Sequence, residues 1–307
     1  MKAFYTDHFV LPLPEGHRFP MEKYRMVREQ VGLLTGLELT EAPAATDTEL
    51  LLAHDPVYLQ RVITGTLAPA AQREIGFPWS AGMVERSRRS VGATIAATQV
   101  ALEEGIAVNL AGGTHHAYRD KGSGFCVFND AAVAARVMQR HRGLSRIAIV
   151  DLDVHQGNGT ASILRRDASI FTLSLHGEKN FPFRKEPSDL DVGLPDGCAD
   201  DQYLAALSSA LQELKQRFKP ELIIYLAGAD PHEADRLGRL KLTFAGLAAR
   251  DQAVFEFAQS LGIGVAITMA GGYGTDINNT VQVHVQTISR ALDHWQSNNT
   301  KTAQASC

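Results

Sequence analysis

The chain has 307 residues, with 30 Lys and Arg against 34 Asp and Glu and a net charge of -4, so charge gives no reason to expect nucleic acid or an anionic membrane as partner. A hydrophobic fraction of 45% beside 21% charged residues excludes disorder, and no apolar run approaches the ~18–20 residues of a membrane span. Cys126, Cys198 and Cys307 make neither a disulfide framework nor a CxxC motif; with no secretory profile at Met1-Lys2-Ala3-Phe4, a reducing, cytoplasmic setting is expected.

The first 90 residues are the least regular, with one helix predicted near 20–34 between proline-containing segments. From there the pattern alternates. A helix over 90–104 leads to a strand over 106–110, and a helix over 129–141 to a strand over 146–152. Then come a helix over 158–166, a strand over 169–175, a helix over 201–217 and a strand over 221–227. A helix over 243–260, a strand over 263–269 and a helix over 278–296 complete the series. The strands are short, rich in branched aliphatics and apolar nearly throughout, as strands buried on both faces are. Such alternation implies right-handed βαβ units and a mainly parallel sheet flanked by helices, an α/β fold. No repeat or linker interrupts it, so one domain is expected over 1–295, followed by a polar tail at 296–307 that frays. The connection over 176–200 is long enough to expect a functional loop.

Ligands of open α/β sheets bind at the carboxyl ends of the strands, and the chemistry of this chain gathers there. Asp153 and His155 are two apart in an extended segment, so their side chains leave one face. With Asp230 from another strand end they offer one nitrogen and two carboxylates, a set suited to a divalent metal with an open position. A hydrolase uses that position to acidify water and polarise a carbonyl. His115 and His116, after the Gly112-Gly113 turn, suit a general base and acid. Asp151 and Asn158 can fix histidine tautomers, and Tyr273 can reach a developing oxyanion. Singly, each has a plainer reading as a helix cap, a turn residue or a surface histidine; their convergence on one edge favours the site. Gly157-Asn158-Gly159 has Ser162 at the sixth position and no Walker lysine follows, so a nucleotide role is not expected.

The segments AGGTHHAYRDKGSGFCVFNDAAVAA (111–135), IAIVDLDVHQGNGT (147–160), Ser174-Leu175-His176, LAGADPHEADRLGRLKLT (226–243) and AGGYG (270–274), in this order, resemble the histone deacetylase superfamily. The resemblance spans most of 1–295, and its Gly-Gly-x-His-His form and the 235–240 segment look most like the class IV branch and its bacterial relatives. It implies a single-domain arginase/deacetylase fold. It also implies a zinc-dependent amidohydrolase, acting on non-peptide C–N bonds, that removes acetyl or longer acyl groups from lysine side chains or related amines. By matching position, Asp153, His155 and Asp230 would bind Zn2+, and His115 and His116 would be the catalytic pair, backed by Asp151 and Asn158. Tyr273 would hydrogen-bond the carbonyl oxygen, with Gly124 and Phe125 lining the acyl channel opposite Phe181. A structural K+ is implied at main-chain oxygens of Asp151, Asp153, His155 and Leu175 with the Ser174 hydroxyl. Asn158 stands where class I members have aspartate, so His116 is expected to be held less strongly as a cation. His232 is expected to be exposed, and no rim aspartate is identified. The competing readings are an acetylpolyamine or other small-molecule amide hydrolase, a binuclear ureohydrolase of the same fold, and a non-catalytic acyl-amine-binding protein. A homo-oligomer is compatible with the sequence.

Overall fold

The computed structural model describes residues 1–305. In chain order they form β1 (Lys2–Tyr5), α1 (Lys23–Val31), β2 (Glu38–Glu41), α2 (Asp47–Leu50), α3 (Pro56–Thr64), α4 (Pro69–Ile75), α5 (Ala81–Glu104), β3 (Ile106–Asn109) and α6 (Asp130–Arg142). There follow β4 (Ile147–Asp151), α7 (Asn158–Leu164), β5 (Ile170–Gly177), β6 (Leu190–Leu194), α8 (Asp200–Arg217), β7 (Leu222–Leu226), α9 (Phe244–Leu261), β8 (Gly264–Thr268) and α10 (Ile277–Ala305). All eight strands join one parallel sheet in the order β2-β1-β3-β8-β7-β4-β5-β6.

Successive strand residues face opposite sides of a sheet, and both sides are covered. On β4, Ala148 and Val150 pack into a core with Leu207 of α8, Phe255 of α9 and Ile288 of α10. Ile147 and Ile149 enter the opposite core, with Val91 and Ile95 of α5 and Val133 of α6. On β7, Ile223 and Tyr225 take the first side and Leu222 and Ile224 the second. Burial on both faces is why these strands read as unbroken apolar runs. Among the described residues no helix is long and apolar enough to cross a membrane, and Cys126 and Cys198 are free and buried.

The five predicted strands are present as β3, β4, β5, β7 and β8. Three further strands were not predicted. β2 and β6 are the sheet edges, where one side of the ladder meets solvent and polar residues intrude (Glu38, Glu41, Asp191). β6 lies inside the 176–200 connection, which is therefore partly ordered as sheet. The helices α2, α3 and α4 were also missed, although α3 carries clear end signals. The Asp55 side chain accepts from the amides of Val57 and Tyr58, Pro56 opens the helix and left-handed Gly65 closes it. α5 begins earlier than predicted, at the Ser80 cap, whose hydroxyl accepts from the Met83 amide. The predicted end of the last helix near 296 is also corrected: no glycine or proline interrupts the segment, and α10 continues to Ala305. The last part of the expected polar tail, with Cys307, lies outside the described residues.

His54 gives the fold a pH dependence. Its ring is buried, with Nδ1 donating to the Tyr118 carbonyl (3.0 Å) and Nε2 accepting from the Asn129 amide (2.9 Å). Asn129 in turn caps α6. This arrangement needs a neutral imidazole, and burial pushes its pKa from 6.5 down to about 4. The unfolded chain therefore takes the proton first on acidification. The stability is fully present above about pH 6.5 and is lost as the pH falls toward 4, a loss of about 3 kcal/mol. Urea unfolding is expected to show a shallower decline over that interval for His54→Gln than for the parent chain; identical slopes would refute the assignment.

Candidate active site

The parallel register brings the carboxyl ends of β3, β4, β7 and β8 to one edge. β4 ends at Asp151, and the chain then bends over Asp153 to His155 rather than continuing extended as the sequence suggests, held there by hydrogen bonds from the His155 amide to Asp153 Oδ1 (2.9 Å) and from the Val154 amide across to Asp230. The Val154 amide donates to Asp230 Oδ1 (2.9 Å), joining this segment to the end of β7. Buried Arg250 braces both: Nη1 donates to the Gly228 carbonyl (2.6 Å) and reaches the Leu152 carbonyl (3.5 Å), while Nε pairs with Asp251 (2.9 Å). Ligand atoms of Asp153, His155 and Asp230 consequently lie within 4.8 Å of one another, all buried. His155 Nδ1 is 2.9 Å from Asp153 Oδ1 and 3.2 Å from Asp230 Oδ2. Its hydrogen bond goes to Asp153, leaving Asp230 Oδ2 buried without a donor.

Two carboxylates converging in a dry site are costly unless a cation joins them. Burial, together with the charge of Asp153, raises Asp230 to about 7. Against its own burial, His155 is raised to about 10 by Asp153 and Asp230. The orphaned oxygen, the mixed nitrogen and oxygen donors and their spacing all fit a divalent metal. Gly271 keeps the space clear: a Cβ there would lie 2.0 Å from Asp230 Oδ2, and its amide donates to Asp153 Oδ2 (2.8 Å).

The histidine pair follows β3. Buried Asp130, at the start of α6, accepts from the amides of Gly113 (2.9 Å) and Thr114 (2.7 Å) and so fixes the turn before the pair. His115 Nδ1 lies 2.6 Å from Asp151 Oδ2. Burial disfavours its charge, but the Asp151 and Asp153 carboxylates raise it to about 9, so it rests as an imidazolium. His116 Nδ1 meets Asn158 Oδ1 at 2.7 Å, and the other end of that amide donates to the Tyr118 hydroxyl (2.9 Å). The amide oxygen can only accept, so His116 carries its proton on Nδ1 and leaves Nε2 free. Burial, then the charges of His115 and His155, hold His116 well below 6.5. One imidazole is charged and its neighbour neutral, a division set by a carboxylate behind the first and an amide behind the second.

These groups line a cavity of about 550 Å³. Phe125, left-handed at φ 66, lines one part, and Phe181 packs edge-on to His116 at 4.9 Å. Gly124 sits between them; a Cβ there would approach His116 Cδ2 to 2.7 Å. Tyr273 borders the same cavity with its ring 6.0 Å from Phe125, and burial raises its phenol well above 10, keeping it a neutral donor. Among the described residues its hydroxyl has no hydrogen-bond partner. Its backbone is clamped: Asp235 Oδ2 accepts from the Tyr273 amide (2.6 Å), and Arg236 Nε donates to its carbonyl (3.1 Å). Loosening this clamp with Asp235→Ala is expected to lower kcat by about 10-fold or more, because misplacing a reacting group by an ångström can cost ~10²-fold. Steady-state kinetics check it, and an unchanged kcat would remove Asp235 from the positioning of Tyr273.

The fold thus brings together every residue predicted for the cation, the histidine pair and the channel. Ser174 and Leu175 lie buried on β5, with Ser174 beside Asp151 in register and its hydroxyl against His176 Nδ1 (3.0 Å). His232 needs correction: it is buried rather than exposed. Its ring packs 4.3 Å from that of Phe244 and its Nδ1 accepts from the Ala234 amide, and it belongs neither to the three-ligand cluster nor to the cavity lining. Sequence reasoning missed Asp130, Asp235, Arg250 and Gly271. Only Gly271 had a local signal, in the glycine run before Tyr273.

Residues 17–288 match the family model of the histone deacetylase domain. Histone deacetylase 2 of Arabidopsis thaliana is 32% identical over 276 residues, covering 84% of this chain and 69% of that one. A histone deacetylase-like amidohydrolase of Pseudomonas aeruginosa is 32% identical over 282 residues, covering 85% and 74%. The crystal structure of an HDAC homologue complexed with SAHA aligns with a TM-score of 0.81 at 26% identity, over 94% of this chain and 83% of that one.

Proposed function

The chain belongs to the histone deacetylase family, and from that premise we propose a zinc-dependent amidohydrolase that removes acetyl or longer acyl groups from lysine side chains or related amines. The observation that carries this reading is the buried Asp153, His155 and Asp230 cluster, with its orphaned carboxylate oxygen, in one cavity with a charged and a neutral imidazole. A zinc ion held by those three residues would acidify a water and polarise the acyl carbonyl.

The side chains supply the rest. His116 Nε2 accepts a proton from the attacking water, whose oxygen bonds to the carbonyl carbon. Tyr273 donates a hydrogen bond to the carbonyl oxygen as negative charge grows there. The imidazolium of His115, tied to Asp151, adds positive charge beside it. The C–N bond then breaks with its electron pair on nitrogen, and His116 returns the proton to it, leaving a carboxylic acid and a neutral amine, which exchange a proton to give carboxylate and ammonium. His116 suits both transfers because it stands at the channel wall beside Phe181. A structural potassium ion at Asp151, Asp153, His155, Ser174 and Leu175 belongs to the same reading; all-oxygen donors suit a hard cation.

Two alternatives fare worse. A binuclear ureohydrolase needs further bridging ligands, whereas the described residues hold a single three-ligand cluster that does not include His232. A polyamine would meet Arg18, Lys179, Arg236 and Arg239 among the lining residues, so an acyl-lysine peptide is the better substrate by charge. Zinc-loaded protein should release free amine from acyl-lysine peptides and lose that activity on chelation, followed by mass spectrometry. Bound zinc without turnover of any acyl-lysine or acetylpolyamine would support a binding protein instead.

A further inference from the structure

The cavity that holds these groups is also lined by two buried cations, Lys23 on α1 and Arg86 on α5. Their exposures are 2% and 7%. Lys23 Nζ lies 3.4 Å from the carbonyl oxygens of Ala270 and Gly272, in the loop that carries Tyr273. The Arg86 guanidinium stacks 4.4 Å from the Tyr24 ring centroid, and Lys23 Nζ is 5.3 Å from the same centroid. Arg86 Nε and Nη2 are buried without a hydrogen-bond partner. Among the described residues no carboxylate pairs with either cation.

Two like charges sharing one aromatic ring in a desolvated chamber are strongly unfavourable without an anion. The ring faces offset part of that cost but satisfy none of the free N–H groups. Nε and Nη2 form one edge of the guanidinium, the pair of donors that grips a carboxylate in bidentate fashion. The chamber borders the place where the acyl group would be attacked, since Lys23 Nζ is 5.7 Å from the Tyr273 ring centroid.

We propose that Arg86 and Lys23 bind the terminal carboxylate of an acidic acyl group, so that the substrates are amines carrying a short ω-carboxyacyl chain such as succinyl or glutaryl. This rests on the site being an amide hydrolase. A neutral chain of equal length leaves both cations unpaired, whereas the carboxylate end completes the chamber. Specificity then comes from the mismatch: a site built to bind a charge rejects the analogue that lacks it.

The test compares kcat/KM of the zinc-loaded enzyme on one peptide acylated with acetyl, butyryl, valeryl, succinyl or glutaryl groups. Succinyl or glutaryl should exceed the neutral chain of equal length by about tenfold or more, the strength of a charge-assisted pair. Arg86→Gln, and independently Lys23→Met, should reduce the acidic-to-neutral ratio by about ten- to a hundredfold; using the ratio cancels any general damage to the fold. A preference for neutral chains, or equal losses on both kinds, overturns the proposal. Calorimetry provides a readout independent of turnover: free glutarate should bind the Tyr273→Phe protein and lose affinity when Arg86→Gln is added. If no amide is cleaved yet glutarate binds in this way, the hydrolase reading fails while the carboxylate chamber stands. If acetate binds as well as glutarate and acidic chains show no advantage, the chamber holds only free carboxylate and the substrate assignment falls.

Discussion

Replacing Asp230 with asparagine is expected to remove zinc and activity together while making the metal-free protein more stable. The two carboxylates of the cluster are buried side by side, and Asp230 Oδ2 has no donor. In metal-free protein that charge is a liability, and an isosteric amide removes it while its oxygen can still accept from the Val154 amide. Two buried carboxylates share one imidazolium there, and relief of their repulsion is worth about 1–3 kcal/mol. With zinc the order reverses. Native protein gains about 4 kcal/mol at a free zinc concentration near a thousand times Kd, and the variant gains nothing. Losing the metal's charge stabilisation, several kcal/mol, lowers kcat by about 10³-fold or more. Thermal melts with and without zinc, together with metal analysis, decide the matter; a variant that keeps stoichiometric zinc would end the assignment of Asp230.

Tyr273→Phe is expected to lower kcat by about 10²–10³-fold, the usual cost of one oxyanion donor. The substitution should leave zinc content and stability nearly untouched, because the hydroxyl makes no hydrogen bond within the described chain and the loop is held by its backbone through Asp235 and Arg236. Burial keeps the phenol protonated, so it donates over the whole working pH range. Near-native kcat in a fully metallated Tyr273→Phe protein would show that the hydroxyl does not touch the reacting oxygen.

The central strands were legible because each is buried on both faces, so that β4 (Ile147–Asp151) and β7 (Leu222–Leu226) read as nearly unbroken aliphatic runs. The edge strands were not. β2 and β6 mix charged and apolar residues, and only pairing with β1 and β5 makes them strands. The division of labour between the histidines was half legible. Asn158 in place of an acid predicted a weaker hold on His116 as a cation, and the amide contact at 2.7 Å agrees. That His115 is the charged partner depends on Asp153 as well as Asp151, and thus on how two strand ends meet.

By itself, the sequence determined the sheet's central strands and the identities of the residues at their carboxyl ends, since backbone periodicity and apolar runs are local properties of a chain. Tertiary structure alone decided what stands around those residues. Arg250 braces the loops of Asp153 and Asp230 from α9, Asp235 clamps Tyr273 from another loop, and Lys23 and Arg86 meet over Tyr24 from two helices. No spacing encodes such meetings. They arise because burying both faces of one sheet brings distant helices together, and the cost of isolating a charge there depends on which neighbours arrive with it.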